Sequence, residues 1–230
     1  MKTWLLILCM FSGKSPDFPS VFGKDYTRAQ EFMKTNGTYF EMVSKRFGND
    51  PRFLKGIVFP ELIRYSQFSD LLETGTLEWL YVEGGSKAAD FSIGHFQMKP
   101  SFVETLEGFV SSEESLKEEY GFLVLNGSGS SFRKTRIDRM KDQAWQFVYL
   151  SCFFDCALKK FATEKWSSDE DKLRFIATVY NAGLHLSKDE IQKLIFFPSF
   201  PYGTKFSAQD QYAYSDVAVD YFQRLTISNP

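Results

Sequence analysis

A glutamate in apolar surroundings is the residue of this sequence best suited to acid chemistry. Glu61 follows Ile57-Val58-Phe59-Pro60 and precedes Leu62-Ile63. A carboxyl group among apolar side chains keeps its proton to a higher pH, because burial disfavours the charged form. Such an acid can deliver a proton to a leaving oxygen near neutral pH. The alternative for any single glutamate is a solvated helix face, so the neighbouring segments decide the interpretation.

Two later segments carry polar groups suited to holding a ligand beside this acid. Residues 94–100 read Gly-His-Phe-Gln-Met-Lys-Pro, and residues 180–183 read Tyr-Asn-Ala-Gly. In the first, glycine permits close approach of the backbone, and the amide of Gln97 can both donate and accept hydrogen bonds. The second ends an apolar helical run, for which a plain helix end is the alternative. Neither segment is specific alone, and their order along the chain carries the information.

In this order, the three segments resemble the lytic transglycosylase family of lysozyme-like proteins. In that family a glutamate is followed by a G-x-x-Q-x-x-P segment and then by Y-N-A-G. The likeness here runs from about Phe47 to about Arg224. The resemblance implies a mainly α-helical, lysozyme-like fold. It also implies cleavage of bacterial peptidoglycan between N-acetylmuramic acid and N-acetylglucosamine, with peptidoglycan glycan strands as the partner and without a cofactor.

The resemblance assigns roles to individual residues. Glu61 is expected to protonate the glycosidic bond and then to take the proton of the muramic acid C6 hydroxyl, which leaves a 1,6-anhydro end. Substrate-assisted glycosidases need no second carboxylate, because the N-acetyl group of the sugar takes its place. Tyr180 is expected to reach the catalytic carboxylate, and Ser92 stands at a variable position of the family pattern. The residues expected to bind substrate are Gln97, Tyr180, Asn181, Gly94 and Ser92.

Two other functions stay open on the sequence alone. Asp90 is the carboxylate nearest in sequence to residues 94–100, and a hydrolytic muramidase could use it to activate water, although a bystander role is favoured. A glycan-binding or scaffold protein could keep the cleft and lack turnover. Three departures from the family pattern bear on the choice. Leu62 stands where serine usually follows the acid, and His95-Phe96 replaces a more aliphatic pair. An insertion lengthens the distance from Glu61 to Gln97.

The composition is that of a globular protein with many aromatic side chains and no basic excess. The chain has 230 residues, of which 43% are hydrophobic and 24% charged, and it contains 25 Phe, 11 Tyr and 4 Trp. Its 27 basic and 29 acidic residues give a formal charge of -2, which lacks the positive charge that nucleic-acid binding requires. We therefore expect no nucleic-acid partner. Most aromatic rings should lie in the core, and the remainder could line a sugar cleft.

The first residues have the pattern of a signal peptide. Lys2 precedes the apolar stretch 4–11, and two small residues follow. A transmembrane helix needs about 20 apolar residues, so this stretch is too short to span a bilayer and no transmembrane segment is expected. We expect residues 1–13 to direct export to the periplasm or cell envelope, and residues 20–230 to form a single domain. Cys9 offers the alternative of a lipid anchor, although the residues before it fit a lipoprotein box poorly.

The rest of the pattern predicts mainly helices and one small hairpin. Asp50 and Pro51 mark the start of the acid-bearing helix. Pro60 inside it indicates either a kink or a break into two helices, since proline removes a backbone donor. Residues 67–84 form an insertion, and the apolar run at 77–82 predicts a strand of a β-hairpin.

Two further clusters have structural rather than chemical interpretations. Residues 133–136 (Arg-Lys-Thr-Arg) with Arg139 form a basic cluster, which we interpret as the solvated start of a helix. Cys152 and Cys156 lie four residues apart in an apolar helical run, which predicts buried free thiols. Two cysteines without nearby histidines do not make a disulfide scaffold or a zinc site, so we expect no metal.

Overall fold

The computed structural model describes residues 16–68, 74–201 and 210–228. The expected signal peptide, residues 1–13, lies outside the described residues, as does Cys9. Within the described ranges the chain is mainly helical, which confirms the mainly α prediction. No helix in those ranges is both long enough and apolar enough to cross a membrane.

Short connections join a succession of helices and one small sheet. In chain order the elements are α1 (Phe18–Phe22), α2 (Lys24–Thr35), α3 (Gly37–Phe47), α4 (Pro51–Phe68), α5 (Thr74–Gly84), α6 (Pro100–Ser112), α7 (Glu114–Tyr120), α8 (Ser130–Lys141), α9 (Gln143–Lys160), α10 (Asp169–Ala182), α11 (Lys188–Leu194), β1 (Pro198–Phe200), β2 (Tyr212–Ala213) and α12 (Tyr214–Ser228). A 3₁₀ turn at Gly121–Leu123 follows α7. The two strands pair antiparallel, with Pro198 opposite Ala213.

The helix that carries Glu61, α4, packs most extensively on three others. It begins as predicted, because a side-chain oxygen of Asp50 accepts a hydrogen bond from the backbone N–H of Arg52 at 2.8 Å. It continues through Pro60, so the alternative of two separate helices is wrong. Its apolar residues are buried against α2, α10 and α12. This packing fixes the position of Glu61 relative to all three helices.

The insertion after α4 is helical where it is described, and the predicted hairpin is wrong there. Residues 77–82 belong to α5, while residues 69–73 lie outside the described ranges. Tyr81 is completely buried, whereas Trp79 is 61% exposed. Burial on one side only is typical of an amphipathic helix. A continuous apolar run has no period of its own, so the sequence of this run does not distinguish a strand from a helix.

The basic cluster is not the solvated helix start that the sequence suggested. Arg136 of α8 is only 8% exposed, and its Nε and Nη2 each donate to a carboxylate oxygen of Glu107 on α6 at 2.8 Å. Its Nη1 donates to the hydroxyl of Tyr81 at 2.7 Å. Arg133 donates to the carbonyl oxygen of Val82 at 2.6 Å. Two of the basic side chains therefore join α8 to α5 and α6.

Aromatic side chains fill much of the interior, as the composition predicts. One hydrophobic cluster extends over the described helices from α1 to α12. Within it the ring of Phe59 on α4 stacks on Tyr221 of α12, with centroids 3.7 Å apart. Cys152 and Cys156 are buried free thiols with sulfur atoms 3.8 Å apart, which confirms their predicted state.

Candidate active site

A cleft of about 360 Å³ lies beside Glu61, where α4, the start of α6 and the end of α10 meet. We call it the Glu61 cleft. Among the described residues, Gly94 is the one predicted site residue that is not part of its lining. The structure thus brings together residues from three separate segments, and their chemical roles stay predictions. The predicted residues that line it are Glu61, Asp90, Ser92, Gln97, Tyr180 and Asn181.

Glu61 is almost completely buried in the wall of this cleft. Its exposed fraction is 3%, and burial raises the pKa of its carboxyl group above the ordinary value for glutamate. Three neighbours act in the opposite direction by favouring the charged form: Arg64, Tyr214 and Lys99, in decreasing order. Burial is the larger effect. A carboxyl group in this setting is suited to donating a proton.

Arg64 is the close neighbour of Glu61 that the motifs did not indicate. Its Nη1 lies 2.9 Å and 3.1 Å from the two carboxylate oxygens of Glu61, and its Nη2 donates to the side-chain oxygen of Asn181 at 3.4 Å. Both charged residues belong to α4, three positions apart, which places them on one face of the helix. The three-residue spacing is the feature of the sequence that could have indicated this contact. An arginine at such a position is equally typical of a solvated helix face, so its spacing from Glu61 does not by itself indicate a place in the cleft.

The segment that contains Gln97 forms a tight turn. The backbone N–H of Ile93 donates to the carbonyl oxygen of Met98 at 2.8 Å, and this pair closes the turn. Gln97 has a φ of +50°, which is unfavourable for a residue other than glycine and is a feature that clusters at functional sites. Its side-chain nitrogen donates to the carbonyl oxygen of Gly94 at 2.8 Å. The orientation of the Gln97 amide is therefore fixed by the turn itself.

The packing of α9 against this turn requires glycine at position 94. Gly94 has a φ of +70°, and a Cβ atom at this position would lie 2.0 Å from the side-chain nitrogen of Gln146. Gln146 is buried on α9, accepts a hydrogen bond from the backbone N–H of Phe96 at 3.1 Å, and donates to the carbonyl oxygen of Met140 at 2.9 Å. The sequence suggested that Gly94 lets the backbone approach a sugar. The structure gives contact with α9 as the reason for glycine.

Two tyrosines lie near Glu61, and the one that contacts it is not the expected one. The hydroxyl of Tyr180 donates to the carbonyl oxygen of Phe96 at 2.8 Å, rather than to the carboxylate. The hydroxyl of Tyr214 on α12 donates to the carbonyl oxygen of Ile57 at 2.8 Å, and it lies close enough to the Glu61 carboxylate to favour the charged form of that group. Burial raises the pKa of both tyrosines far above the usual value, so both are neutral. No motif indicates Tyr214, because it reaches the site only through the packing of α12 on α4.

Asp90 lines the cleft but is already engaged by α6. One carboxylate oxygen accepts from the backbone N–H of Ser101 at 2.9 Å, and the other accepts from the Ser101 hydroxyl at 2.8 Å. The N–H belongs to the first turn of α6, where backbone donors lack partners within the helix. Asp90 therefore caps α6. This contact supports the bystander role that the sequence favoured for it.

His95 lies in the same turn as Gln97 but outside the Glu61 cleft. Its ring centroid is 4.6 Å from that of Phe32 and 4.5 Å from that of Tyr65, and the three residues line a separate cavity. Burial lowers the pKa of His95, which favours the neutral imidazole. His95 is placed to support the turn rather than to exchange protons with a ligand of Glu61.

A second, mainly apolar cavity of about 220 Å³ adjoins the cleft. The two cavities share Asn181 and Ala182, and the second is also lined by Leu194, Phe197 and Tyr214. Phe197 is 56% exposed. An exposed aromatic side chain therefore lies in the cavity next to the Glu61 cleft.

Comparison with known proteins adds no further assignment to these residues. No protein-family model matches the sequence, no curated protein matches it, and no solved structure matches the fold. Among the described residues, no group of three or more histidine, cysteine, aspartate or glutamate side chains could hold a metal ion.

Proposed function

We propose that the protein is a lytic transglycosylase that cleaves peptidoglycan between N-acetylmuramic acid and N-acetylglucosamine and leaves a 1,6-anhydro end. The observation that carries the proposal is the buried carboxyl group of Glu61 in one cleft with Gln97, Tyr180 and Asn181. These residues come from three segments that lie far apart in the sequence and that resemble the family in their order.

The finer assignments of fold and location belong to the same proposal. A lysozyme-like domain over residues 20–230 would place the acid on a central helix, as α4 does here. Export through residues 1–13 would bring the protein to the cell envelope, where its substrate is. Fractionation of cells tests this step, because the mature protein should be found outside the cytoplasm without its first residues. Acylation at Cys9 would identify a lipoprotein instead.

In the proposed reaction Glu61 acts first as an acid and then as a base. Its proton goes to the glycosidic oxygen while the bond from that oxygen to C1 of N-acetylmuramic acid breaks. The carbonyl oxygen of the N-acetyl group of the same sugar forms a bond to C1. The C6 oxygen then displaces it at C1 and gives its proton to Glu61, which restores the carboxylic acid. No water is consumed, so the products together have the mass of the substrate.

The contacts of Asp90 favour this reaction over hydrolysis. A hydrolytic muramidase commonly uses a second carboxylate, either as a base that activates water on the opposite face of the sugar or as a nucleophile at C1. Asp90 is the predicted candidate, and both of its oxygens are hydrogen bonded to Ser101. Glu61 is the acid in either reaction, so the two differ in the acceptor and not in the first proton transfer.

A digestion experiment with a matched control tests the proposal. Purified wild-type protein is incubated with peptidoglycan sacculi, and the soluble fragments are identified by mass spectrometry. We expect anhydro ends, and we expect Glu61→Gln to slow release by about 10²–10⁴-fold, the usual contribution of general acid catalysis. Glu31→Gln, which changes an exposed glutamate on α2, should digest like wild type. Release by a folded Glu61→Gln protein at the wild-type rate would show that Glu61 is not the acid.

A second candidate, a glycan-binding protein without turnover, is favoured by one observation. Arg64 holds the Glu61 carboxylate through one nitrogen at 2.9 Å and 3.1 Å, and this ion pair favours the charged form that cannot donate a proton. Wild-type protein that sediments with sacculi and never releases fragments would identify this function. Release of anhydro fragments would exclude it.

A further inference from the structure

The guanidinium of Arg64 occupies a central position in the Glu61 cleft. It contacts the carboxylate of Glu61 and the side-chain oxygen of Asn181, and its central carbon lies 5.2 Å from the ring centroid of Phe200. Its side chain is 12% exposed and lines the cleft. A ligand that reaches Glu61 therefore also meets Arg64.

This ion pair opposes the acid role of Glu61. An opposite charge within hydrogen-bond distance favours an ionised carboxyl group, whereas burial favours the protonated one. Arg64 is the nearest positive charge to Glu61, and Lys99 at the start of α6 contributes more weakly. Tyr180 and Tyr214, on α10 and α12, face the carboxyl group as neutral hydroxyls. Movement of Arg64 away from Glu61 would thus remove the strongest influence that favours the charged form, raise the pKa of Glu61 further and favour the proton donor.

The cleft presents its positive charges to a ligand. Lys99 lines it, is exposed, and makes no ion pair with any described residue. Of the two carboxylates in the lining, Glu61 is paired with Arg64 and Asp90 is bonded to Ser101. A carboxylate on the ligand would therefore meet Lys99, which no acidic group of the described residues pairs with, and Arg64, whose charge is shared with Glu61. Guanidinium groups bind carboxylates with strong, charge-assisted hydrogen bonds.

We propose, as an extension that rests on the proposed function, that Arg64 is a positioning residue which holds Glu61 in an ion pair until a carboxylate of the glycan draws its guanidinium away. The carboxylate is that of the lactyl group of an N-acetylmuramic acid residue that carries no peptide. Lys99 assists by attracting the same group. The acid thus becomes competent when a muramic acid residue is bound, and neutral glycans leave it paired.

The pH dependence of cleavage distinguishes this role from simple structural support. The profile of kcat/KM reports the acid in the free enzyme, and that of kcat reports it in the complex. The substrate is glycan strands whose peptides have been removed, so that every lactyl carboxylate is free. In wild type, kcat should fall at a pH about 1 to 3 units higher than the pH at which kcat/KM falls. In Arg64→Gln the alkaline limbs of the two profiles, where kcat and kcat/KM fall, should coincide at the higher of the two pH values. Arg64→Lys keeps the charge and should restore part of the separation.

Arg46→Gln is the matched control, because Arg46 is exposed on α3 and pairs with Glu119. It should show the wild-type separation of the two limbs. If Arg64 were only structural, Arg64→Gln would lower both constants and leave their pH limbs where wild type has them. That outcome would overturn the inference and leave the proposed function intact.

A binding measurement tests the same inference without turnover. The carboxyl carbon of Glu61, labelled with ¹³C and assigned by its loss in Glu61→Gln, is titrated by NMR alone, with N-acetylmuramic acid and with N-acetylglucosamine. The two sugars differ in the lactyl carboxylate. N-acetylmuramic acid should raise the titration midpoint in wild type by about 1 to 3 pH units and leave it unchanged in Arg64→Gln, and N-acetylglucosamine should have no effect in either. An unchanged midpoint with N-acetylmuramic acid, including one caused by a failure to bind, would overturn the inference whether or not the protein cleaves peptidoglycan.

Discussion

Two buried carboxylate–arginine pairs in this protein have similar burial and different geometry. Glu107 and Arg136 are 6% and 8% exposed, and two different guanidinium nitrogens each donate to one carboxylate oxygen at 2.8 Å. The third nitrogen of Arg136 donates to Tyr81. In the other pair, Glu61 and Arg64, a single nitrogen serves both oxygens at 2.9 Å and 3.1 Å.

The difference lies in what each pair connects. Glu107 and Arg136 belong to α6 and α8, and Tyr81 adds α5, so this pair joins three helices through a fully bonded fork. Glu61 and Arg64 belong to the same helix, so their ion pair itself joins no other element, although Nη2 of Arg64 also donates to Asn181 of α10 at 3.4 Å. It also borders a cleft, whereas Glu107 is enclosed by its partners. Burial alone therefore does not distinguish the two carboxylates, and the neighbouring geometry does.

The largest effect on stability should come from the pair that joins helices. Arg136→Met leaves the carboxylate of Glu107 buried without its cation, and such a change typically lowers the free energy of unfolding by about 3–5 kcal/mol. Urea denaturation measures this loss. Cleavage by the folded fraction should keep the wild-type pH profile, because the substitution is remote from the Glu61 cleft.

The control for this prediction is the exposed pair on the same helix. Lys134 and Asp138 have side chains 63% and 57% exposed, and exposed pairs contribute little to stability. Lys134→Met should leave the unfolding transition nearly unchanged. Equal losses in Arg136→Met and Lys134→Met would show that the buried fork does not stabilise the junction of α5, α6 and α8.

A smaller loss of stability is expected from a substitution in the turn that packs on Gln146 and carries Gln97. Gly94→Ala introduces a methyl group 2.0 Å from the amide nitrogen of Gln146 and retains a positive φ. We expect a loss of about 2–4 kcal/mol from backbone strain and overpacking together. The turn that carries Gln97 should shift, so cleavage should fall more than the folded fraction does. Unfolding by urea and digestion of sacculi measure the two effects separately.

Gly48 serves as a control that isolates the cost of a positive φ from the cost of overpacking. Its φ of +72° is close to that of Gly94, and a Cβ atom there would meet no atom within 4 Å. Gly48→Ala should lose only the strain of the left-handed conformation, about 1–2 kcal/mol, and should digest sacculi at the wild-type rate. If Gly94→Ala costs no more than Gly48→Ala, the Gln146 side chain moves aside and does not fix the turn.

The sequence predicts the helix of Glu61 well because its signals are local. Asp50 and Pro51 start α4, and a long apolar stretch with one acidic residue indicates burial. The residues of the cleft were found from the order of three motifs. That order indicates positions but not contacts: Tyr180 lines the cleft, and its hydroxyl donates to the carbonyl oxygen of Phe96.

The features that the sequence missed depend on partners distant along the chain. Tyr214 contacts Glu61 only because α12 packs against α4. Arg136 is buried because Glu107 and Tyr81 offer it three acceptor atoms, and no local pattern places those residues together. The strand predicted at 77–82 is wrong for a different reason, since an unbroken apolar run lacks the periodicity that separates strands from helices.

The smallest effect is expected at the third carboxylate, which is neither buried nor paired with an arginine. Asp90 is exposed and bonds only to Ser101 in the first turn of α6 among the described residues. Asp90→Ala removes this cap and should lower the free energy of unfolding by about 0.5–2 kcal/mol. Asp90→Asn keeps an acceptor for the Ser101 N–H and should remain close to wild type in stability.

The same two variants sharpen the contrast between a structural and a chemical carboxylate. If Asp90 is only a cap, Asp90→Asn should digest sacculi at nearly the wild-type rate, and its products should retain anhydro ends. If Asp90 activates water, Asp90→Asn should lose most activity although its fold is intact, and the wild-type products should carry reducing ends, one water heavier than the anhydro form. Mass spectrometry of the fragments separates these outcomes. Because the cap survives in Asp90→Asn and the charge does not, a loss of activity in that variant cannot be attributed to the start of α6.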